Sequence, residues 1–497
     1  MNRLRQVARR LTTPSATGRR FLWAAASSSD PSLATAALQC AENIKKQVSR
    51  TKSRQLACLA AKDSCFVLVS QSYPSADIDR VVGLLRQQLG SISKNICFSG
   101  TVVDHVVLGG TKRPSIGDGL SVIYNHFSDS DGLQLEVHPF YIGDIHGRQR
   151  LREVAVGRWH NKVTDRFKEQ NTNHTQWVSG HSSVTQAASH MVLPAELATG
   201  IVAPALVDFV LFATDKESRQ VLDLLDKHFP WAAKTGVVGS QTPFVNGREY
   251  TLFADSHIHD SGMVGFAFAR NGQHSSSALA VGESKVSHCG LVPISDALRI
   301  VRCKGNVILE LENGDAAHSL IASVRKRHTE MTKDTGGESR LFAKIIPADY
   351  SGNTSAGTSE SRQPVVFQVT GGDPAKGGLA LDTLRDLSNG QLVQFMMADA
   401  QTVSYSNNES NLSDALLMFG AADFGDGSLR APVICAKGTL PAVFGGVTEG
   451  GFVYSTRSAS LTPASGHNSG NSVLSGSVEC SVPGSTVTVA LNLPGSR

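Results

Sequence analysis

The sequence lacks several features that would assign it to a protein class at once. No run of about 18 uninterrupted apolar residues occurs, and the strongest candidate, 197–214, contains Pro204 and Asp208, so no membrane span is predicted. Nucleotide-binding loops, a nucleophile elbow and a His-Glu-x-x-His motif are also missing. The cysteines stand singly, which indicates neither a zinc cluster nor a disulfide framework. They are Cys40, Cys58, Cys65, Cys97, Cys289, Cys303, Cys435 and Cys480.

Acidic residues are missing from the start of the chain, and this absence explains the net charge. The 497 residues include 47 Lys and Arg against 43 Asp and Glu, a net charge of +4. Six arginines precede the first acid, Asp30, so beyond residues 1–29 the remaining 41 basic residues face all 43 acids, a net charge of −2. A near-neutral body of this kind predicts no nucleic-acid partner.

Residues 1–29 have the composition of an organellar targeting peptide. Apolar residues recur at helical spacing from Leu4 to Leu11, and arginines occupy much of the remaining helix surface. Ser, Thr and Ala follow, and no apolar core of a secretory signal is present. We expect a mitochondrial transit peptide over 1–29, processed near Arg19-Arg20-Phe21, and therefore a matrix protein. A basic tail or a surface helix is the alternative.

An internal similarity organises the next part of the chain. Residues 63–104 have the pattern of an apolar strand, an amphipathic helix and a second strand, and residues 206–242 repeat it. A strand-helix-strand connection favours parallel pairing. We therefore predict an α/β or α+β fold in two lobes, with helices packed on mixed β-sheets.

Changes in composition divide the chain into segments. A polar insert and a Gly/Ser/Thr-rich stretch separate the more apolar regions, and a late alternation of apolar residues predicts a final edge strand at Val487, Val489, Leu491 and Leu493. The expected segments are a helical lead-in (30–60), an N-terminal domain (61–330) containing the polar insert (161–189), a linker (331–363), a C-terminal domain (364–455) and a Ser/Gly-rich tail (456–497).

Four short motifs carry candidate chemistry, each with a structural alternative. His257-Ile258-His259 is a possible half of a metal site or a surface pair, and His288-Cys289 offers a haem axial ligand or an ordinary strand end. The Gly-rich run 371–378 follows an apolar strand, which favours a hairpin over a phosphate loop. Residues 445–451 form a second Gly-rich loop, which would serve as a turn, a ligand loop or a domain contact.

Longer motifs point to a known family. They are Lys234-Thr235-Gly236-Val237-Val238-Gly239-Ser240, Thr242-Pro243-Phe244, Gly247-Arg248, Cys289-Gly290-Leu291-Val292-Pro293-Ile294, Asn306-Val307-Ile308-Leu309-Glu310-Leu311-Glu312, Gly371-Gly372-Asp373-Pro374 and Gly390-Gln391-Leu392-Val393-Gln394-Phe395. Together these motifs resemble the FIST domain family (FIST_N plus FIST_C), of a eukaryotic mitochondrial type, over most of 61–455. The chain departs from the family at His288, where a Gly is usual, and before Pro293, where no Arg stands.

The resemblance implies a sensory or signalling module that binds a small ligand, amino acids among the proposed ones. Some bacterial members contain haem and sense nitric oxide, and an animal member carries an F-box, for which no helical module precedes residue 61 here. Three functions therefore stay open: a small-molecule-binding protein, a haem-binding gas sensor, and a hydrolase-like enzyme with Cys97, Ser99 or Ser240 as nucleophile. A protein partner stays open as well.

The ligand is expected in a cleft between the N- and C-terminal parts, at the carboxyl ends of the repeated strands. Hydroxyl groups and loop amides would suit a carboxylate or amide ligand. The candidate ligand-binding residues are Ser99, Gly100, Gly239, Ser240, Thr242, Gly371, Gly372, Asp373, Gly446, Glu449 and Gly450. The candidate metal or haem ligands are His257, His259, His288 and Cys289.

Overall fold

Strands dominate the structure, a computed structural model. It describes residues 22–51, 63–109, 115–126, 134–143, 193, 195–198, 201, 206–271, 280–281, 284–330, 340–348, 363–373, 375–383, 385–398, 415–422, 442–455 and 476–492. The helices are α1 (Leu33–Thr51), α2 (Ser75–Ile78), α3 (Val81–Leu89), α4 (Ala195–Ala198), α5 (Arg219–His228), α6 (Pro243–Asn246) and α7 (Ala316–Glu330). The predicted mixture of helices and mixed β-sheets is confirmed, with more strand than helix.

The strands have the following bounds: β1 (Leu22–Ser28), β2 (Asp63–Ser70), β3 (Ile96–Val103), β4 (His105–Leu108), β5 (Ser115–Gly117), β6 (Leu120–His126), β7 (Gln134–Ile142), β8 (Val207–Thr214), β9 (Ala233–Val238), β10 (Leu252–Ala254), β11 (His257–His259), β12 (Met263–Asn271), β13 (Ala280–Val281), β14 (Lys285–His288), β15 (Leu291–Pro293), β16 (Leu298–Lys304), β17 (Val307–Leu311), β18 (Gly314–Asp315), β19 (Leu341–Ile346), β20 (Val365–Asp373), β21 (Gly378–Leu381), β22 (Leu392–Ala398), β23 (Ala415–Ala421), β24 (Val443–Thr448), β25 (Phe452–Ser455), β26 (Ser477–Cys480) and β27 (Ser485–Asn492).

Three sheets share one strand order. Sheet 1 runs β1-β6-β2-β3-β10-β11, sheet 2 runs β7-β12-β8-β9-β25-β26, and sheet 3 runs β13-β27-β23-β24-β4-β5, with β14 also on β27. Each contains one parallel pair, β2/β3, β8/β9 or β23/β24, between antiparallel neighbours. The first two pairs are the predicted repeats, and their parallel pairing is confirmed. The third repeat was not predicted.

The three units exchange hairpins in a ring. We call β1–β6 unit 1, β7–β12 unit 2, and β13, β14 and β23–β27 unit 3. The β10–β11 hairpin of unit 2 joins β3 in sheet 1, the β25–β26 hairpin of unit 3 joins β9 in sheet 2, and the β4–β5 hairpin of unit 1 joins β24 in sheet 3. Each sheet therefore contains strands from two units.

A glycine at the same place in each parallel pair supports the threefold repeat. Gly100, Gly236 and Gly445 lie opposite Val67, Phe212 and Met418 on the neighbouring strand. A Cβ atom at these glycines would lie 1.9, 2.7 and 1.8 Å from the carbonyl oxygens of those partners. Because real Cβ atoms are not found so close, each unit requires glycine there.

The inner faces of the three sheets share one aromatic core. The Phe66 ring of unit 1 lies 6.2 Å from Phe266 of unit 2 and 5.9 Å from Phe444 of unit 3, edge to face in both cases. Such pairs add about 0.5–1.5 kcal/mol each beyond area burial. On the outer faces, α1, α2 and α3 cover sheet 1 and α5 covers sheet 2.

A barrel is inserted into unit 3 between β14 and β23. Strands β16, β17, β21, β20, β19 and β22 pair in a closed antiparallel ring, because β19 also pairs with β22. Helix α7 packs against β17 and β21. The molecule thus has a three-sheet body and a barrel.

Several expected segment boundaries do not coincide with this fold. The expected linker contains β19, and the expected tail contains β26 and β27. Strand β27 is observed, yet it lies between β23 and β14 rather than at an edge, because both its sides find partners. The polar insert 161–189 lies outside the described residues, whereas α1 lies within the expected helical lead-in.

Further expectations concern the leader, the N-terminal domain and a membrane span. The expected leader reaches residue 29, yet Leu22–Ser28 form β1 inside sheet 1. Strands from the N- and C-terminal parts of the chain share sheets 2 and 3, so 61–330 is not a separate structural unit. In the part of the chain that the structure describes, no helix is long and apolar enough to cross a membrane.

Candidate functional site

The carboxyl ends of three equivalent strands meet at one point of the body. Asp104, Ser240 and Glu449 are each the fourth residue after the repeated glycine of their unit. The backbone N–H of Glu449 donates to Asp104 Oδ2 at 2.8 Å, and that of Ser240 donates to the Val102 carbonyl at 2.9 Å. We call Asp104, Ser240, Glu449 and the neighbouring Gln71 the three-unit centre.

Asp104 is the hub of this centre. Asp104 is 5% exposed. Gln71 Nε2 donates to its Oδ1 at 2.8 Å, and the Glu449 N–H donates to its Oδ2, so both carboxylate oxygens have donors. Burial raises the pKa of Asp104, while the Glu449 amide and the Ser240 hydroxyl favour the charged form and offset part of that rise. The buried Ser240 hydroxyl faces the carboxylate, although its geometry falls short of a hydrogen bond.

Glu449 differs from Asp104 because its side chain is exposed. Its carboxylate makes no hydrogen bond to any residue that the structure describes. The backbone amides nearby are already committed, since Gly239 N–H donates to the Thr214 carbonyl at 2.8 Å and those of Ser240 and Glu449 donate as described above. The centre therefore offers a carboxylate acceptor to a ligand, and these three amides do not bind a ligand carboxylate as expected from the sequence.

The glycines expected in ligand loops have a packing role. A Cβ atom at Gly239 would lie 2.5 Å from Thr101 Oγ1, one at Gly446 3.0 Å from Leu68 Cδ1, and one at Gly450 2.5 Å from Val238 Cγ1. Each of these contacts joins two different units. The space beside the glycines is thus filled by protein.

Ser99, Gly100 and Thr242 lie apart from the centre's carboxylates. Ser99 points into the shared core, where its buried hydroxyl has no partner among the described residues. Gly100 packs on Val67, and Thr242 Oγ1 donates to the Arg248 carbonyl at 3.1 Å. These residues support strands and turns, and Ser240 and Glu449 are the predicted polar side chains that the fold brings together.

Gly371, Gly372 and Asp373 belong to the barrel. They end β20 in a hairpin to β21, and Asp373 Oδ1 accepts the N–H of Ala375 at 3.0 Å, which is an Asx turn. The hairpin alternative is therefore confirmed, and this loop is not part of the three-unit centre.

The histidine pair lies on β11 at the edge of sheet 1. The rings of His257 and His259 are 6.4 Å apart, and His259 stacks on Tyr141 at 3.5 Å. Burial and then the neighbouring His257 lower the pKa of His259. Among the described residues, no group of three or more His, Cys, Asp or Glu side chains is placed to hold a metal ion.

His288 ends β14 in polar surroundings. Its Nδ1 lies 2.5 Å from Ser485 Oγ, and burial, followed by the charge of Lys344, lowers its pKa to about 4. The N–H of Cys289 donates to the Gly484 carbonyl at 3.1 Å. A haem needs an apolar slot beside its axial ligand, so the hydroxyl and ammonium groups around His288 do not fit one.

A shallow depression lies at the same end of sheet 1 as the carboxyl end of β2. It is lined by Ser27, Ser28, Ser29, Asp30, Gln39, Leu108 and Gly109. Its polar groups bond to one another, as Ser28 Oγ does to Gln39 Oε1 at 2.6 Å and Gly109 N to Ser27 Oγ at 2.7 Å. The depression therefore presents fewer unused groups than the three-unit centre.

Sequence reasoning missed Asp104 and Gln71. A signal for Asp104 was present in the sequence, because aligning Gly100, Gly236 and Gly445 places Asp104 opposite Ser240 and Glu449. Gln71 follows β2, and no sequence pattern marked it as a site residue.

The chain matches no protein-family model and no curated protein.

Proposed function

We propose that the protein is a small-molecule-binding sensory protein of the FIST type and that its ligand contacts the three-unit centre. One observation supports this most strongly: three equivalent strand ends deliver Asp104, Ser240 and Glu449 to one place, where the Glu449 carboxylate is exposed and uncommitted. In parallel α/β sheets ligands bind beyond the carboxyl ends of the strands, and the centre lies at the carboxyl end of one strand of each parallel pair.

The charge of the centre favours a ligand with N–H donors. Glu449 offers two acceptor oxygens that no described residue occupies, and the Asp104 carboxylate close to it is a second acidic group. An ammonium or amide group complements such a surface, since charge-assisted hydrogen bonds are about twice as strong as neutral ones. A free amino acid or a small amine is therefore the ligand class we propose.

The same proposal includes a mitochondrial location. It is supported by the acid-free, arginine-rich composition of the first residues and by the absence of an apolar signal core there. A matrix protein of this kind would bind metabolites of that compartment.

The test compares two charge-neutralising variants, Glu449→Gln at the centre and Glu312→Gln at an exposed site of the barrel. Binding of free amino acids and small amines is measured by thermal shift and then by calorimetry. We expect Glu449→Gln to weaken the best ligand about tenfold or more, the loss typical of one charged hydrogen bond. Glu312→Gln should bind as the wild type does. Equal affinity in both variants would remove Glu449 from the site.

A further inference from the structure

Strand β1 is an integral part of unit 1. All seven of its residues, Leu22 to Ser28, are in register with β6. Trp23 is 3% exposed, and its ring lies edge-on to Phe268 of unit 2 at 5.3 Å. Removing β1 would therefore open sheet 1 at β6 and leave a hole in the core shared by the units.

The other face of β1 supports helix α1. Ala24 and Ala26 are buried in the same cluster as Ala37 and Cys40 of α1. Gln47 of α1 donates through Nε2 to the Ala25 carbonyl at 2.9 Å. The helix would lose its packing surface together with the strand.

The equivalent strands of the other units show that β1 belongs to the repeated fold. Strand β7 flanks β12 in unit 2, and β14 flanks β27 in unit 3, as β1 flanks β6 in unit 1. All three units therefore have a flanking strand, and unit 1 without β1 would differ from the other two.

We infer that proteolytic processing removes only residues that precede Leu22, so that the mature chain begins at or before Leu22. The inference rests on the proposed mitochondrial location. A processing peptidase would hydrolyse one peptide bond with one water, leaving a new carboxylate on the leader and a new α-amino group on the mature chain. Arg19 and Arg20 place the basic part of the leader directly before this limit.

The first experiment imports the full-length precursor into isolated mitochondria and determines the N-terminus of the product by mass spectrometry. We expect a product that has lost Met1 and whose first residue is no later than Leu22. A product that begins at 23–30 would overturn the inference alone and leave the location intact. Absence of import, or import with Met1 retained, would overturn the leader and the inference together.

The second experiment compares purified chains that begin at Met1, Leu22 and Asp30. We expect the first two to unfold at the same temperature, and the chain from Asp30 to unfold several degrees lower or to aggregate. Equal melting temperatures for all three chains would show that β1 is dispensable and would overturn the structural basis of the inference.

Discussion

Two buried polar junctions join the units, and they are built in opposite ways. At the three-unit centre, Asp104 is a lone buried carboxylate that neutral donors satisfy. At the second junction, between α5, β26 and the barrel, charges are paired: Lys234 Nζ lies 3.1 Å from Asp226 Oδ1. Arg385 of the barrel donates there to the Ser477 carbonyl at 2.5 Å. We call this junction the Arg385 cluster.

This difference in charge pairing distinguishes a structural contact, the Arg385 cluster, from a candidate binding site, the three-unit centre. In the Arg385 cluster, Asp226 also accepts the N–H and the hydroxyl of Ser477, at 2.6 and 2.8 Å, so its oxygens are occupied. At the centre, the Glu449 carboxylate is exposed and bonded to no described residue. Charge pairing thus indicates a structural role, whereas the Glu449 carboxylate, which no described residue binds, is the basis of the proposed ligand site.

The largest effect should come from breaking the charge pairing. Lys234 is 3% exposed, and Lys234→Ala removes the ammonium that lies 3.1 Å from Asp226, together with its hydrogen bonds to the Phe229 and Ala232 carbonyls. We expect this loss to lower the free energy of unfolding by about 3–5 kcal/mol. The matched control is Lys376→Ala, whose partner Asp373 lies at 3.6 Å with Lys376 85% exposed, where we expect about 0–1 kcal/mol. Urea unfolding measures both.

A similar loss in both variants would show that the Arg385 cluster is as weak as a surface pair. If Lys234→Ala does not fold, Lys234→Met keeps the aliphatic stem and still removes the charge. Its stability should then lie between those of the alanine variant and the wild type.

Sequence reasoning found the strand-helix-strand units because their patterns are local. The apolar runs of β2 and β8, and the stripe of Val81, Val82 and Leu85, each indicate an element from a few neighbouring residues. Hairpin exchange is not local, since β25 pairs with β9 across about half the chain. No periodicity within a segment indicates which sheet a hairpin will join, so segments defined by composition do not show that β25–β26 belong to sheet 2.

The site was half predictable for the same reason. Ser240 was chosen as a hydroxyl that follows the closing strand of the second repeat, and Glu449 as the ionisable residue of a Gly-rich loop. The fold places both at the centre. Gly371 has the same local signal, yet it lies in a barrel hairpin. Asp104 acts through contacts with residues more than 100 positions away in units 2 and 3, which a single sequence does not display.

A smaller effect should come from crowding the centre. Gly239→Ala would place Cβ 2.5 Å from Thr101 Oγ1, a hydroxyl held by the Thr251 carbonyl at 3.0 Å, and we expect a loss of about 1–3 kcal/mol. The matched control is Gly83→Ala, because Gly83 lies in α3 with no atom within 4 Å of its Cβ position. This variant should gain about 0.5–1 kcal/mol. A stable Gly239→Ala would mean that the units do not pack closely there.

The smallest effect should come from the hub carboxylate, and its pH dependence distinguishes the two junctions. Asp104→Asn replaces one acceptor oxygen with an NH₂ group, which we expect to lower the free energy of unfolding by about 1–2 kcal/mol at acid pH.

Burial raises the pKa of Asp104 above 3.8, so just above pH 3.8 the folded protein holds a proton that the unfolded chain has lost. The wild type therefore loses stability as pH rises through that window, while the asparagine variant does not titrate there. The cost of Asp104→Asn should therefore shrink as the pH rises above 3.8, when urea unfolding is repeated from acid to neutral pH. A cost that grows with pH would mean that the Glu449 amide and the Ser240 hydroxyl outweigh burial, and the centre would then hold its charge by partners, as the Arg385 cluster does.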